Sequence, residues 1–413
     1  MGRGTTHGSH NVVFTSSYDI IDLGCEPGFG ESGSEIVAFI TQSAGGCDSD
    51  NCGNVTPGFS WNCPVFDFMM AQLVLLPFIV AMAISLAVTM LTIVVYRGLG
   101  LVDKSTKRDH PKHIHTQPVP RGGGIPILIA MVFATLMFVK LDTQMVGILL
   151  GGLILAIAGI LDDLLDISPY IRLALGLLAA IVVVMSGIGI TFVSNPFGEG
   201  VLQFDVKLIA NGLTVLWIMW GMNFVNMGAK GLDGQLPGVT LIAAVVIGIL
   251  SFRFANDITA WPSTYLSFAL AGAYAGFLMF NVYPQKIMPG WGGGALAGYF
   301  LAVLSILSGA KVATAMIVLG VPLMDVVYVI LRRLAAGKSP VWGDTNHLHH
   351  QLLRLGWSKA QIAGLYWLMS AVLGAVALQL NSQMKIYTIL LIAIAVGGVL
   401  LWINLFLSSN QSE

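Results

Sequence analysis

From residue 68 onward the chain alternates between long apolar runs and short polar connections. Runs of about twenty apolar residues carry a helix across ~30 Å of hydrocarbon. About eleven such runs fall near 68–96, 124–140, 145–161, 170–187, 207–225, 237–253, 264–281, 294–309, 312–331, 361–380 and 385–407. Only residues 190–204 depart from this pattern: two β-prone segments flank a Ser-Asn-Pro-Phe-Gly turn, which predicts a short hairpin. The expectation is an all-α polytopic membrane protein with 10–11 transmembrane helices. One transmembrane domain spans 68–410, with long loops at 97–123 and 332–360.

Composition supports that reading. Residues are 56% apolar and 10% charged, with mean hydropathy +0.81, against roughly 25% charged in a soluble domain. A soluble fold is excluded. The net charge of −1 says nothing about partners, and no nucleic acid is expected as one. The distribution of positive charge is more telling. Alternate connections hold Arg97, Lys104, Lys107, Arg108, Lys112, Arg121, Arg172, Lys230, Lys286, Arg332, Arg333, Lys338, Arg354 and Lys359; the opposite ones hold little beyond Arg253, Lys311 and Lys385. The positive-inside rule makes the first set cytoplasmic and puts the N-terminus and the hairpin outside.

Cys25, Cys47, Cys52 and Cys63 all precede the first span, where an outer face would permit two disulfides. Residues 1–67 have no signal-peptide pattern, and Met69 and Met70 stand where a start would precede the first helix. The segment reads equally as an outer-side extension or as an upstream mis-start.

The cytoplasmic connections carry the chemistry. Asp162, Asp163 and Asp166 lie within five residues. One such Asp is a solvated helix cap; three together, opposite basic loops, suit Mg²⁺ ligation or a general base. Six of the eight histidines lie in the two long loops, His115 before Pro118-Val-Pro120-Arg121-Gly122-Gly123-Gly124, and His347, His349 and His350 after Arg332, Arg333 and Lys338. No cysteine completes a zinc set, so phosphate binding suits the basic segment better. Interfacial histidines without a role are the plainer alternative. Lys230-Gly231-Leu232-Asp233-Gly234 lacks the spacing of a P-loop. Gly290-Trp291-Gly292-Gly293-Gly294 reads as helix packing or as backbone contact with phosphate.

In this order the segments resemble the polyprenyl-phosphate N-acetylhexosamine-1-phosphate transferases, glycosyltransferase family 4, over about 70–380. The match includes Gly100-Leu-Val-Asp103-Lys, Arg108, His115, Pro118-Val-Pro-Arg-Gly-Gly, and Leu161-Asp-Asp-Leu-Leu-Asp-Ile-Ser-Pro with Arg172. It continues through Asn223-Phe-Val-Asn226, Gly231-Leu-Asp-Gly, Phe280-Asn-Val-Tyr-Pro-Gln-Lys-Ile, Pro322-Leu-Met-Asp325, Gly337-Lys-Ser-Pro and His347-Leu-His-His. The Pro-Arg-Gly-Gly form and the Asp-x-x-Asp-x-Ser-Pro spacing are more similar to the WecA/TagO branch than to the MraY branch.

The resemblance implies transfer of an N-acetylhexosamine 1-phosphate, GlcNAc-1-P by default, from a UDP-N-acetylhexosamine to undecaprenyl or another polyprenyl phosphate. UMP leaves, in the first membrane step of cell-envelope glycan synthesis. It implies Mg²⁺, with Mn²⁺ as a substitute, and allows a homodimer. Asp162, Asp163 and Asp233 take catalytic roles by that resemblance, and Asp162, Asp163, Asn226 and Asp233 metal roles. Arg108, His115, Arg121, Asp166, Asn223, Lys230, Arg332, Arg333, Lys338, His347, His349 and His350 become substrate-binding residues.

Two departures stand out. The family's Gly-Asp-Ser/Thr-Gly-Ser is here Gly290-Trp291-Gly-Gly-Gly, so Trp291 replaces the carboxylate that binds the metal. Trp cannot ligate a hard cation. Asn226-Met-Gly-Ala-Lys230 also puts a lysine near another family Asp. Either Lys230 supplies the missing positive charge, or Asp162, Asp163 and Asp233 hold the metal unaided. A non-catalytic relative that binds lipid phosphate or nucleotide sugar as a scaffold is the rival reading. A transporter is disfavoured because no inverted repeat is visible.

Overall fold

The computed structural model describes residues 70–103, 119–195, 200–253, 258–309, 312–339 and 346–409. The four cysteines, Arg108 and His115 lie outside them, as does the question raised about residues 1–67. Every apolar run of the sequence is a helix. They are α1 (Ala71–Gly98), α2 (Gly124–Phe138), α3 (Thr143–Leu165), α4 (Pro169–Met185), α5 (Lys207–Gly228), α6 (Gln235–Phe252), α7 (Trp261–Asn281), α8 (Gly290–Leu307), the pair α9 (Val312–Val318) and α10 (Gly320–Ala335), then α11 (Leu348–Arg354), α12 (Lys359–Gln379) and α13 (Ser382–Ser409).

Eight of these are long and apolar enough to cross a membrane. The α9–α10 pair would be a ninth crossing, bent by 81°. With 15 and 17 residues, α2 and α4 reach only ~22–26 Å at 1.5 Å per residue. The short pair β1 (Val102–Asp103) and β2 (Val119–Pro120) closes the first long loop. The hairpin is present as β3 (Phe192–Ser194) and β4 (Val201–Gln203), in antiparallel register.

The core is built around α8. Nearly all of it, from Trp291 to Ile306, is buried. Without a hydrophobic drive between helices in lipid, close packing of small residues holds them together. Gly292 meets Gly159 of α3, where an added Cβ on Gly159 would lie 2.6 Å from Gly292 Cα. Gly298 likewise meets the Gly221 carbonyl of α5. The glycine run is therefore the first turns of a central helix, not a loop ahead of one. Apolar side chains on α1 and α13, such as Leu91, Val94, Ile394 and Trp402, face outward as lipid-facing residues must.

Contacts between connections show that Arg121, Asp162, Arg172, Lys230, Gly290, His349 and Lys359 share one end of the bundle. Lys140 and Lys207 belong with Arg253 and Lys385 at the other end, which narrows the charge asymmetry without reversing it.

Candidate active site

Asp162 and Asp163 occupy the last turn of α3. The helix stops at Asp166, which takes a left-handed conformation (φ 49°) and returns its N–H to the Asp162 carbonyl at 2.9 Å. Aspartate is among the few residues that tolerate this geometry. Ser168 caps the next helix and Pro169 begins it, so α4 starts three residues later and places Arg172 back against the pair. Arg172 lies 2.6 Å from Asp162 and 3.4 Å from the exposed Asp166.

Two further cations arrive from other segments. Arg121 stands between β2 and α2, in a strand clipped to the α8 approach: Met288 N–H donates to the Pro120 carbonyl at 2.9 Å, and Gly123 N–H to Met288 at 3.2 Å. Lys230 follows α5 and runs along the first turns of α8. Its stem passes Gly294 beside Asn226, and its Nζ donates to the Gly290 carbonyl at 3.2 Å. Gly290 is left-handed (φ 63°), and a Cβ there would lie 3.0 Å from Asp163 Oδ1. Asp163 thus meets Lys230 across Gly290, and Arg121, Arg172 and Lys230 all act on its charge. Burial pushes the Lys230 ammonium down to about 8, with Asp162 and Asp163 opposing that shift. Asp163 also lines a narrow cleft with Gly122, Gly124, Ile125, Ala156, Gly159, Ile160 and Gly292.

A second cluster abuts the first through the Lys230–Gly234 loop. Asp325 of α10, fully buried, accepts from Leu348 N–H at 2.8 Å and pairs with His347 Nδ1 at 2.9 Å. It fixes both the start of α11 and the orientation of the ring. His349 stacks on His347 (5.5 Å between centroids) and packs against Gly231, where a Cβ would strike the ring. Burial holds the His349 imidazole well below its ordinary pKa, and His350 and His347 reinforce this. Asp325→Ala would strand two buried donors at about 1–3 kcal/mol each. It is expected to lower the thermal midpoint in detergent, whereas Asp325→Asn, which keeps an acceptor, should lose less.

The other candidates are placed differently. Asp233 lies 3.8 Å from Lys359 and accepts from the Gln285 N–H at 3.4 Å. Asn223 donates to Met219 within its own helix. Arg333 reaches the Ser339 carbonyl at 2.7 Å, and Arg332 and Lys338 are exposed near the end of α10. Asn281, not singled out by the sequence reading, ties two site loops together: it accepts from Gly234 N–H and donates to Gln285 and to the Ile287 carbonyl.

The donor set does not suit a divalent ion. Of the four residues expected to hold one, Asp233 is engaged by Lys359 at 3.8 Å and by the Gln285 N–H at 3.4 Å. Asp162 is taken by Arg172 at 2.6 Å, and Trp291 is buried. Among the described residues no three His, Cys, Asp or Glu side chains form a metal-holding group. Three cations already stand around Asp162 and Asp163. A further dication would leave the site with a large uncompensated positive charge, and Mg²⁺ demands near-octahedral oxygen ligation at 2.0–2.1 Å.

Residues 145–309 match the family described as Glycosyl transferase family 4. The "Probable undecaprenyl-phosphate N-acetylglucosaminyl 1-phosphate transferase" of Bacillus subtilis (strain 168) is 30% identical over 75% of this chain and 85% of its own length. The decaprenyl-phosphate N-acetylglucosaminephosphotransferase of Mycolicibacterium smegmatis is 32% identical over 66% of this chain and 74% of its own. An undecaprenyl-phosphate alpha-N-acetylglucosaminyl 1-phosphate transferase of Escherichia coli (strain K12) is 29% identical over 68% and 77%. With its helical membrane body and its ordered loop motifs, the chain belongs to glycosyl transferase family 4, among the polyprenyl-phosphate N-acetylhexosamine-1-phosphate transferases.

Proposed function

We propose that this chain transfers N-acetylglucosamine 1-phosphate from UDP-N-acetylglucosamine to a polyprenyl phosphate and releases UMP. The step would open a cell-envelope glycan pathway at the cytoplasmic face of the membrane. The relatives' activities support the substrate class. The positive-charge asymmetry supports the sidedness. The observation that carries the chemistry is the Asp162–Asp163 pair set among Arg121, Arg172 and Lys230 at the head of α8.

In this reading an oxygen of the lipid phosphate attacks the β-phosphorus. A new P–O bond forms, the β-phosphorus to bridging-oxygen bond breaks, and its electron pair leaves on UMP. No water is consumed. The barrier lies in bringing two phosphate anions together, so fixed cations at that point lower it. Asp163, facing the cleft, takes the proton of the lipid phosphate. Asp162 acts through Arg172, holding it in place. The His347–His350 segment, anchored by Asp325, faces the nucleotide sugar.

Purified protein given undecaprenyl phosphate and a panel of UDP-sugars should release UMP and yield a lipid diphosphate sugar by mass spectrometry. An inert preparation beside an active relative would remove the proposal. UDP-sugar binding without turnover would favour the scaffold reading, which rests on Trp291. A pH profile adds a second test. Lys230 loses its proton as pH rises through about 8, so kcat/KM should fall above that pH, by the free-enzyme rule. In Lys230→Arg the decline should move well to the alkaline side.

A further inference from the structure

We propose that the Lys230 ammonium is the resident cation of this site, standing where a divalent ion would otherwise join carboxylate to phosphate, so that the chain turns over without a metal. The inference deepens the transfer reading above and rests on it.

The placement of the side chain argues for this. Lys230 runs along the first turn of α8, from beside Asn226 to the Gly290 carbonyl. Its stem runs past Gly294, where an added Cβ would strike Asn226 Oδ1 and sit 3.2 Å from Lys230 Cδ. Its Nζ reaches the Gly290 carbonyl at 3.2 Å, at the residue against which Asp163 Oδ1 rests. Among the described residues Asn226 Oδ1 and Asp163 Oδ1 are buried oxygens with no hydrogen-bond partner. Both are oxygens of the kind a hard ion takes, and the lysine stem runs beside the Asn226 one at Gly294. The glycine at 294 makes room for it; an alanine there would already contact the stem at 3.2 Å.

Charge points the same way. A divalent ion serves phosphoryl transfer by bridging oxygens and neutralising charge. Here Arg121, Arg172 and Lys230 converge on Asp162 and Asp163 from three separate segments. Among the described residues, two carboxylates and three cations leave one net positive charge facing the substrate phosphates. That is the residual charge a dication would leave on three carboxylates with two flanking cations. Trp291, buried at the start of α8, removes the ligand that would have favoured the ion.

The test separates this inference from the transfer reading. Full-length protein in detergent is stripped with EDTA and titrated with Mn²⁺ alone, followed by the EPR signal of the free ion. The expected result is a free signal tracking total Mn²⁺ into the millimolar range. One equivalent bound with a Kd below about 0.1 mM would overturn the inference. UDP is then titrated calorimetrically in EDTA and in Mg²⁺. Affinities equal within about twofold support the inference, and a gain of about tenfold or more with Mg²⁺ overturns it. Turnover of UDP-N-acetylglucosamine should persist in EDTA. Activity lost in EDTA and restored by Mg²⁺ would sink the metal-free proposal while keeping the transferase. A protein inert under every condition would sink the transferase reading, with the two binding titrations still deciding the metal question. Lys230→Met, checked for folding by its thermal midpoint, should lose UDP affinity by about tenfold or more, and Mg²⁺ should not restore it.

Discussion

Asp163→Asn is expected to lower turnover by about 10²–10⁴-fold, the usual contribution of a positioned acid or base. The substitution keeps the size of the side chain and its place against Gly290, so UDP affinity should change little. The loss should therefore fall on kcat, the pattern of an interaction made mainly in the transition state. Asp162→Asn is expected to be nearly as severe for a different reason. Its carboxylate holds Arg172 at 2.6 Å, and an amide would release that guanidinium. There the damage should appear in KM for the lipid substrate as well as in kcat. Steady-state UMP release at varied lipid and nucleotide concentrations measures both. Near-wild-type rates in both variants would remove the proposed chemistry.

Gly159→Val is the second large effect, and it acts through packing. Even a methyl at 159 would sit 2.6 Å from Gly292 Cα, a backbone atom of the helix most enclosed by the rest of the bundle. Neither side can yield by a rotamer change, so α3 and α8 must separate. Overpacking of this kind costs about 1–3 kcal/mol and sometimes more. Because Asp163 lies one turn beyond Gly159, the same separation draws it away from Gly290 and Lys230. A lower thermal midpoint in detergent and activity lost beyond the folded fraction are both expected. Gly212→Ala is the internal control. No described residue lies within 4 Å of a Cβ at that position, and a helical Gly→Ala should be neutral or stabilising by ~0.4–1 kcal/mol.

Much of the fold was legible because its signal is local. Each apolar run carries its own evidence of length and hydropathy, and all of them are helices, down to the Lys359 and Ser382 starts near the C-terminus. The hairpin was readable for the same reason. The site was legible as segments but not as contacts. Asp162 and Arg172 are ten residues apart and could be paired by eye. Asp325 and His347 are separated by a helix end and a loop, and a lone Asp on an amphipathic helix gives no sign of its partner. Asn281 is equally silent in sequence, since its value lies in joining Gly234 to Ile287. The Asp233 motif likewise gave no sign of Lys359, which lies 3.8 Å from its carboxylate. The 81° break between α9 and α10 falls at Leu319-Gly320-Val-Pro322, a Gly/Pro signal that a reading of 312–331 as one apolar run passes over.

The bond from Lys230 to the Gly290 carbonyl has a consequence for sequence drift and for drug resistance. A side-chain anchor can be lost by one codon change at the partner. A main-chain carbonyl survives every substitution that leaves the helix start in place, and at 290 the left-handed backbone already restricts the choice to glycine. The seat of the lysine is thus nearly immune to point mutation. An inhibitor whose anionic group engages Lys230 would meet resistance chiefly through loss of the lysine itself, a change that disables the enzyme along with the drug.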